Sequence, residues 1–174
     1  RQISPHIQAI PKAVGGSLFR IYRDVRFSKD KRPYKTHVGI HFRHASGKDA
    51  HAPGFYLHLE PGQVFLGAGI WRPESKVLKQ IRAAIDEEPA AWLAMKDELG
   101  PGLNLAGESL KTSPRGYGAD HPMIDDLRRK DFFTMVELEE GAAVEPGFQD
   151  VFLDHCRRVS PLAAYLCRVL DVPF

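Results

Sequence analysis

The chain has 174 residues, 43% hydrophobic and 26% charged, with a formal net charge of +2. This is ordinary globular usage: it excludes wholesale disorder and supports one domain whose core needs no disulfide or metal staples. No uncharged apolar run approaches the roughly 18 residues of a membrane span, and residues 1–10 do not read as a signal peptide. The chain begins at Arg1 rather than Met, so a preceding segment is expected.

The small net charge hides an asymmetry. Residues 1–48 carry eleven Lys and Arg against Asp24 and Asp30, a formal +9, and the remainder carries −7. Such a basic block raises the local anion concentration and points to a phosphate, nucleotide, nucleic-acid or acidic-protein partner. The competing explanation is that it pairs with the acidic remainder of the same fold.

Phe19 to Phe27 alternates, with Phe19, Ile21, Val25 and Phe27 on one side and Arg20, Tyr22, Asp24 and Arg26 on the other, which predicts a half-buried strand. Arg23 is the exception on the apolar side. A polar connection through Pro33-Tyr34 follows. Thr36 to His44 alternates again, with Val38, Ile40 and Phe42 against His37, Gly39, His41 and Arg43. Residues 44–53 read as a loop. Phe55 to Glu60 and Gln63 to Trp71 flank Pro61-Gly62, a two-residue hairpin signal.

The period then changes. Val77, Leu78, Ile81, Ala84 and Ile85 form one helical stripe after Pro73. Pro89 opens a second helix through Trp92, Met95 and Leu99, ended by Gly100-Pro101-Gly102. Leu103 to Leu110 predicts a short strand, Asp120-His121-Pro122 a capped helix start running to Lys130, and Phe132 to Leu138 another strand. From Phe148 an apolar stripe continues to Val169, with Ser160-Pro161 either kinking the helix or starting a new one. Strands followed mostly by helices predict an α+β domain: a mostly antiparallel sheet of about five strands with helices on one face and a helical C-terminus. Cys156 and Cys167, eleven residues apart on a helix, would lie roughly 16 Å from each other, beyond disulfide reach. They read as reduced core thiols, which suits a cytoplasmic location.

The block Phe19-Arg20-Ile21-Tyr22-Arg23-Asp24-Val25-Arg26-Phe27-Ser28-Lys29-Asp30-Lys31, continued by Pro33-Tyr34-Lys35-Thr36, resembles the signature of a family of conserved hypothetical proteins, domain of unknown function 2461. Gly54-Phe55-Tyr56-Leu57, Glu60-Pro61-Gly62, the run Gly67 to Pro73, Pro114-Arg115-Gly116-Tyr117 and Asp120-His121-Pro122 extend the likeness over nearly the whole chain. Family members usually begin with an Asn- and Trp-Phe-bearing helical segment that this chain lacks. The resemblance implies a family and no activity.

The alternation places Arg20, Tyr22, Asp24, Arg26, His37, His41, Arg43, Tyr56, His58 and Glu60 on the face away from the core, with Phe65 and Trp71 on the next strand. Gly67 and Gly69 between them would open floor space for a ligand. Arginine forks grip phosphate or carboxylate at two points, and aromatic rings stack on planar groups. The site so drawn has His41, His58 and Asp24 as acid–base candidates. Arg20, Tyr22, Arg26, Lys31, Lys35, His37, Arg43, Tyr56, Trp71 and Arg115 are its ligand contacts. An outer face stitched by ion pairs is the plainer alternative.

His37 and His41, four residues apart along a strand, stand roughly 13 Å from each other and would need cross-strand partners such as His58 or Glu60 to hold a metal. No metal is assigned, and no cofactor is identified. Ser28-Lys29-Asp30-Lys31 matches a Ser-x-x-Lys pattern but follows a strand rather than opening a helix, so Lys31 reads as a phosphate contact. Asp120 and His121 suit an acid–base pair less well than a helix cap, and His155 reads as a core histidine. The expectation is a protein that binds an anionic or phosphorylated small molecule and has the side chains to act on it. A non-catalytic nucleotide- or nucleic-acid-binding module and a protein-interaction subunit stay open as alternatives; oligomeric state is left open.

Overall fold

Period-two alternation gives a strand two unlike faces, and here one face is covered and the other is not. The computed structural model describes residues 3–13, 15–46 and 52–174. In chain order the elements are β1 (Ile7–Gln8), β2 (Val38–His44), β3 (Gly54–Glu60), β4 (Gln63–Ile70), α1 (Ser75–Glu87), α2 (Pro89–Leu99), β5 (Leu105–Ala106), α3 (Ile124–Leu127), β6 (Phe132–Glu137) and α4 (Phe148–Val169). The strands form one antiparallel sheet in the order β1-β2-β3-β4-β6-β5. The α+β architecture expected from the sequence is therefore present, with six strands, two of them only two residues long.

The hairpin between β3 and β4 closes over Pro61-Gly62, with Glu60 opposite Gln63 and Gly62 at φ 78°. Proline pre-sets the first central position of such a turn, and glycine alone takes the positive φ of the second at no steric cost. That turn sets the register behind it, so Leu57 faces Leu66 and Phe55 faces Ala68. On the same side of the sheet lie Ile70, Phe132 and Val136, and the helices bring Ile81, Ile85, Trp92, Met95, Val159, Leu162 and Leu166 against them. A fully buried side chain of this size contributes about 1.5–3 kcal/mol, so this single layer supplies most of the driving force for folding.

One polar tie crosses the core. The indole Nε1 of Trp92, fully buried, donates to Asp126 Oδ2 at 2.8 Å, and Lys96 Nζ donates to the same oxygen at 3.0 Å. Burial pushes the Asp126 carboxyl up, but these hydrogen bonds outweigh it and leave its pKa below the ordinary value.

The sequence is corrected at three places. Residues 19–27 do not form a strand. Phe19 N–H donates to the carbonyl of Gly39, after which the chain leaves the edge of β2 and doubles back on itself through Arg23 N–H to Pro33 O and Lys35 N–H to Ile21 O. Alternation buries residues only where a sheet neighbour exists, and here Ile21 is 57% and Phe27 95% exposed. Asp120 does not cap a helix: α3 starts after Met123 and has no side-chain cap, while His121 instead links to Asp86 of α1 at 2.9 Å. Ser160-Pro161 does not start a new helix: α4 runs through as 22 residues with the proline inside it. Pro161 has no N–H for the carbonyl of Arg157, and the Ser160 hydroxyl donates to that carbonyl at 2.8 Å instead. Residues 47–51 of the predicted loop lie outside the described residues. Both cysteines are buried and free, as expected, and burial pushes their thiols up to about 12 and about 11.

Replacing Asp126 with Ala strands the buried indole N–H, so urea unfolding should show a loss of about 2–3 kcal/mol with native secondary structure retained. A loss below about 0.5 kcal/mol would show that the tie carries no stability.

Candidate functional site

The face of the sheet opposite the helices is built by parity and register. His41 lies across from Tyr56, and Tyr56 across from Gly67; Gly39 lies across from His58, and His58 across from Phe65. With Val38 opposite Leu59, His37 just before β2 comes level with Glu60 at the end of β3. Three polar side chains from two neighbouring strands thus converge: one ligating atom from each of His37, His58 and Glu60 lies within 4.8 Å of the other two.

These groups are linked in a chain. His58 Nε2 is 3.2 Å from Glu60 Oε2, and His58 Nδ1 is 3.3 Å from the Tyr56 hydroxyl. The Thr36 hydroxyl donates to the other oxygen of Glu60. This contact with Thr36, followed by that with His58, holds the Glu60 carboxyl below its ordinary range, so it is an acceptor only at neutral pH. The partners then assign the proton of His58 to Nε2, directed at Glu60, and leave Nδ1 to accept from Tyr56, whose own pKa burial raises. The His58 ring is sandwiched between His37, at 4.6 Å between centroids, and Phe65, at 4.7 Å. Burial lowers the pKa of His37, and the nearby charges of His58 and Lys35 lower it further.

Such a chain can orient an imidazole, exchange a proton at a defined nitrogen and meet an anion at Lys35. Its residues fall inside a wider match: residues 1–165 fit the model of a family of conserved hypothetical proteins, DUF2461. The chain belongs to that family. No curated protein and no solved structure matches it.

Within this DUF2461 chain the predicted contacts divide into two groups. His37, His58, Tyr56 and Lys35 are gathered on the open face, and His41 adjoins them through Tyr56 and the ring of Phe19, which packs on both. Lys35 Nζ lies 5.5 Å above that same Phe19 ring. Arg43, paired with Gln8 of β1, stands beside His41, its Nε buried and without a hydrogen-bond partner among the described residues.

The rest are placed elsewhere. Asp24 pairs with Arg26 at 2.7 Å, an exposed pair within the excursion and not among the side chains gathered around His58. Asp30 bridges Arg23 at 2.5 Å and Arg32 at 2.7 Å. Lys31 Nζ donates to the carbonyl of Val25, and Ser28 Oγ accepts from Asp30 N–H. Tyr22 stacks on Tyr34 at 5.6 Å, and Arg20 is exposed. Trp71 is 61% exposed at the far end of β4, about 20 Å along the strand from Phe65, with Arg72 over its ring. Arg115 lies exposed in the loop before α3.

Two members of the cluster were not singled out as site residues. Glu60 was legible through the parity of Tyr56 and His58, whereas nothing in the sequence marks Thr36 as the partner of Glu60. Of the two glycines expected to open floor space, Gly69 departs from the expectation and Gly67 does not. A Cβ at Gly69, at φ 124°, would sit 2.2 Å from the carbonyl oxygen of Phe132, so this residue serves the backbone; a Cβ at Gly67 would meet only ordinary contacts. At Gly39 the space of the missing side chain is filled by the Tyr56 hydroxyl, 2.6 Å from where a Cβ would stand.

His41 is half-buried, and burial, followed by the charge of Arg43, pushes its pKa down to about 4 from 6.5. The unfolded chain therefore binds the proton more tightly. The stability linked to a neutral His41 is fully present above pH 6.5 and is lost as pH falls from there towards 4. Between pH 7 and 4.5 the expected loss is about 2 kcal/mol. The His41→Gln variant should show a correspondingly flatter stability profile by urea unfolding; equal profiles would place the histidine in water.

Proposed function

We propose that the protein binds an anionic or phosphorylated small molecule on the open sheet face over His37, His58 and Glu60, and that His58 serves there as the acid–base group. The observation that carries this reading is the hydrogen-bonded run Tyr56–His58–Glu60, set beside His37 and Lys35 on the side away from the helices. A solvated outer face does not ordinarily stack a histidine between two rings and fix both its nitrogens. Lys35 supplies the cation for the ligand, and Glu60 fixes the ring of His58 as the orienting group of an acid–base pair does.

The anion-holding role moves from Arg26 and Lys31, which are engaged within the excursion, to Lys35 and His37. A nucleic-acid-binding role keeps one supporting feature, the exposed Tyr22–Tyr34 pair in the basic block. The pairing of Arg23, Arg26 and Arg32 with Asp24 and Asp30 reduces the charge left to meet a phosphate backbone.

Calorimetric titration of metal-free protein with inorganic phosphate and with a panel of nucleoside and sugar phosphates should give saturable binding. Lys35→Ala should weaken it about tenfold, equivalent to about 1.4 kcal/mol. His58→Ala should abolish any turnover of a bound compound while the far-ultraviolet spectrum stays native. Absence of binding across the panel, or binding indifferent to Lys35→Ala, overturns the reading. Tight, steeply salt-dependent binding of single-stranded oligonucleotides with no small-molecule binding would favour the nucleic-acid role.

A further inference from the structure

We propose that His37, His58 and Glu60 form a binding site for a divalent first-row transition metal ion of the zinc or ferrous-iron class, with coordination positions left for an exogenous anion. The metal rests on donor geometry and the contacts behind it; the anion in its open positions rests on the anion-binding reading above, while the acid–base role of His58 belongs to the metal-free protein alone.

Three donors of the right chemistry are present. Their ligating atoms lie within 4.8 Å of one another. Ligands about 2.0–2.2 Å from a tetrahedral ion stand about 3.4 Å apart. His58 and Glu60 are already 3.2 Å apart, and the site closes when the His37 ring, now stacked on His58 at 4.6 Å, turns about its side-chain bonds to aim a nitrogen at the same point. Two imidazoles and one carboxylate suit zinc, iron, cobalt and manganese rather than magnesium or calcium, which prefer all-oxygen sets.

The supporting contacts are the second observation. Metal-bound histidines and carboxylates are ordinarily held from behind by hydrogen bonds that fix their orientation. Here the Tyr56 hydroxyl meets His58 at Nδ1, leaving Nε2 for the ion, and Thr36 holds the Glu60 oxygen that does not face His58. With an ion on Nε2 the His58 proton would sit on Nδ1, where the Tyr56 oxygen, its O–H turned away, accepts it; the imidazole stays neutral and no proton is released. The site opens to water at Glu60, whose side chain is 28% exposed, with His58 nearly buried behind it at 10%.

Charge argues for the open positions. The ion brings two positive charges and Glu60 returns one negative. Lys35 and Arg23 both act on His37, and Arg23 is engaged by Asp30. The loaded site stays cationic, which favours an anion as the remaining ligand.

The test treats the full chain with EDTA, removes the chelator and titrates Co²⁺ while recording its visible d–d absorption. One Co²⁺ per chain, displaced by Zn²⁺, is expected. His37→Ala and Glu60→Gln should each abolish the saturable signal, and Thr36→Val, which leaves all three donors in place, should weaken affinity about tenfold. Circular dichroism identifies any variant that fails to fold, and Thr36→Val then carries the test. No uptake by the wild-type chain, or uptake unchanged in His37→Ala and Thr36→Val, overturns the proposal. The two readings separate on phosphate. Phosphate binding to metal-free protein with no Co²⁺ uptake removes the metal and leaves the anion reading standing. Co²⁺ uptake whose spectrum phosphate does not alter keeps the metal and removes the anion.

Discussion

The register between β2 and β3 governs everything else on the open face. Val38 opposite Leu59 and Gly39 opposite His58 bring His37 level with Glu60 and set His58 beside both. A slip of one residue would turn Tyr56 and His58 under the helices and Phe55 and Leu57 into water. That costs twice, once for polar groups buried without partners and once for apolar area exposed. The tight turn at Pro61-Gly62 makes the same choice from the other side of β3. The side chains that give the sheet its energy therefore also fix where its polar groups meet.

The molecule divides its work between layers. Beneath the sheet, packed hydrocarbon and the Trp92–Asp126–Lys96 tie hold α2, α3 and α4 together. Above it, stability is carried by small local contacts: ring on ring at Phe19, and paired charges in the excursion. The basic block neutralises part of itself through Asp24 and Asp30. Consequently the formal charge of the block overstates the positive charge that its arginines leave unpaired.

Much of this was legible before any coordinates. β2, β3, β4, β6, both central helices and α4 announce themselves by a change of period, and the parity that places His37, His41, Tyr56 and His58 on one face holds. What failed shares a cause. Alternation at 19–27 looks like a strand because the pattern reports side-chain polarity, not the presence of a neighbour to pair with. Asp24 and Arg26, two residues apart, look like free site groups because their mutual pairing needs a bend that composition does not reveal. Trp71 lies on the expected strand but at its distant end, and only length along the strand separates it from the cluster. The coming together of His37, His58 and Glu60 required the register itself, which no single strand contains.

The Ser160-Pro161 step has a consequence for how α4 tolerates change. A proline inside a helix leaves the carbonyl one turn back without its amide and presses the ring against it, so the local axis bends. Here the preceding hydroxyl supplies what the imino acid withholds. The two positions are thus unequal under drift. A change at 161 restores a main-chain donor and merely makes the hydroxyl redundant, whereas a change at 160 alone leaves an oxygen dependent on solvent. Sequence variation along this helix is expected to pass through 161 first and through 160 only afterwards.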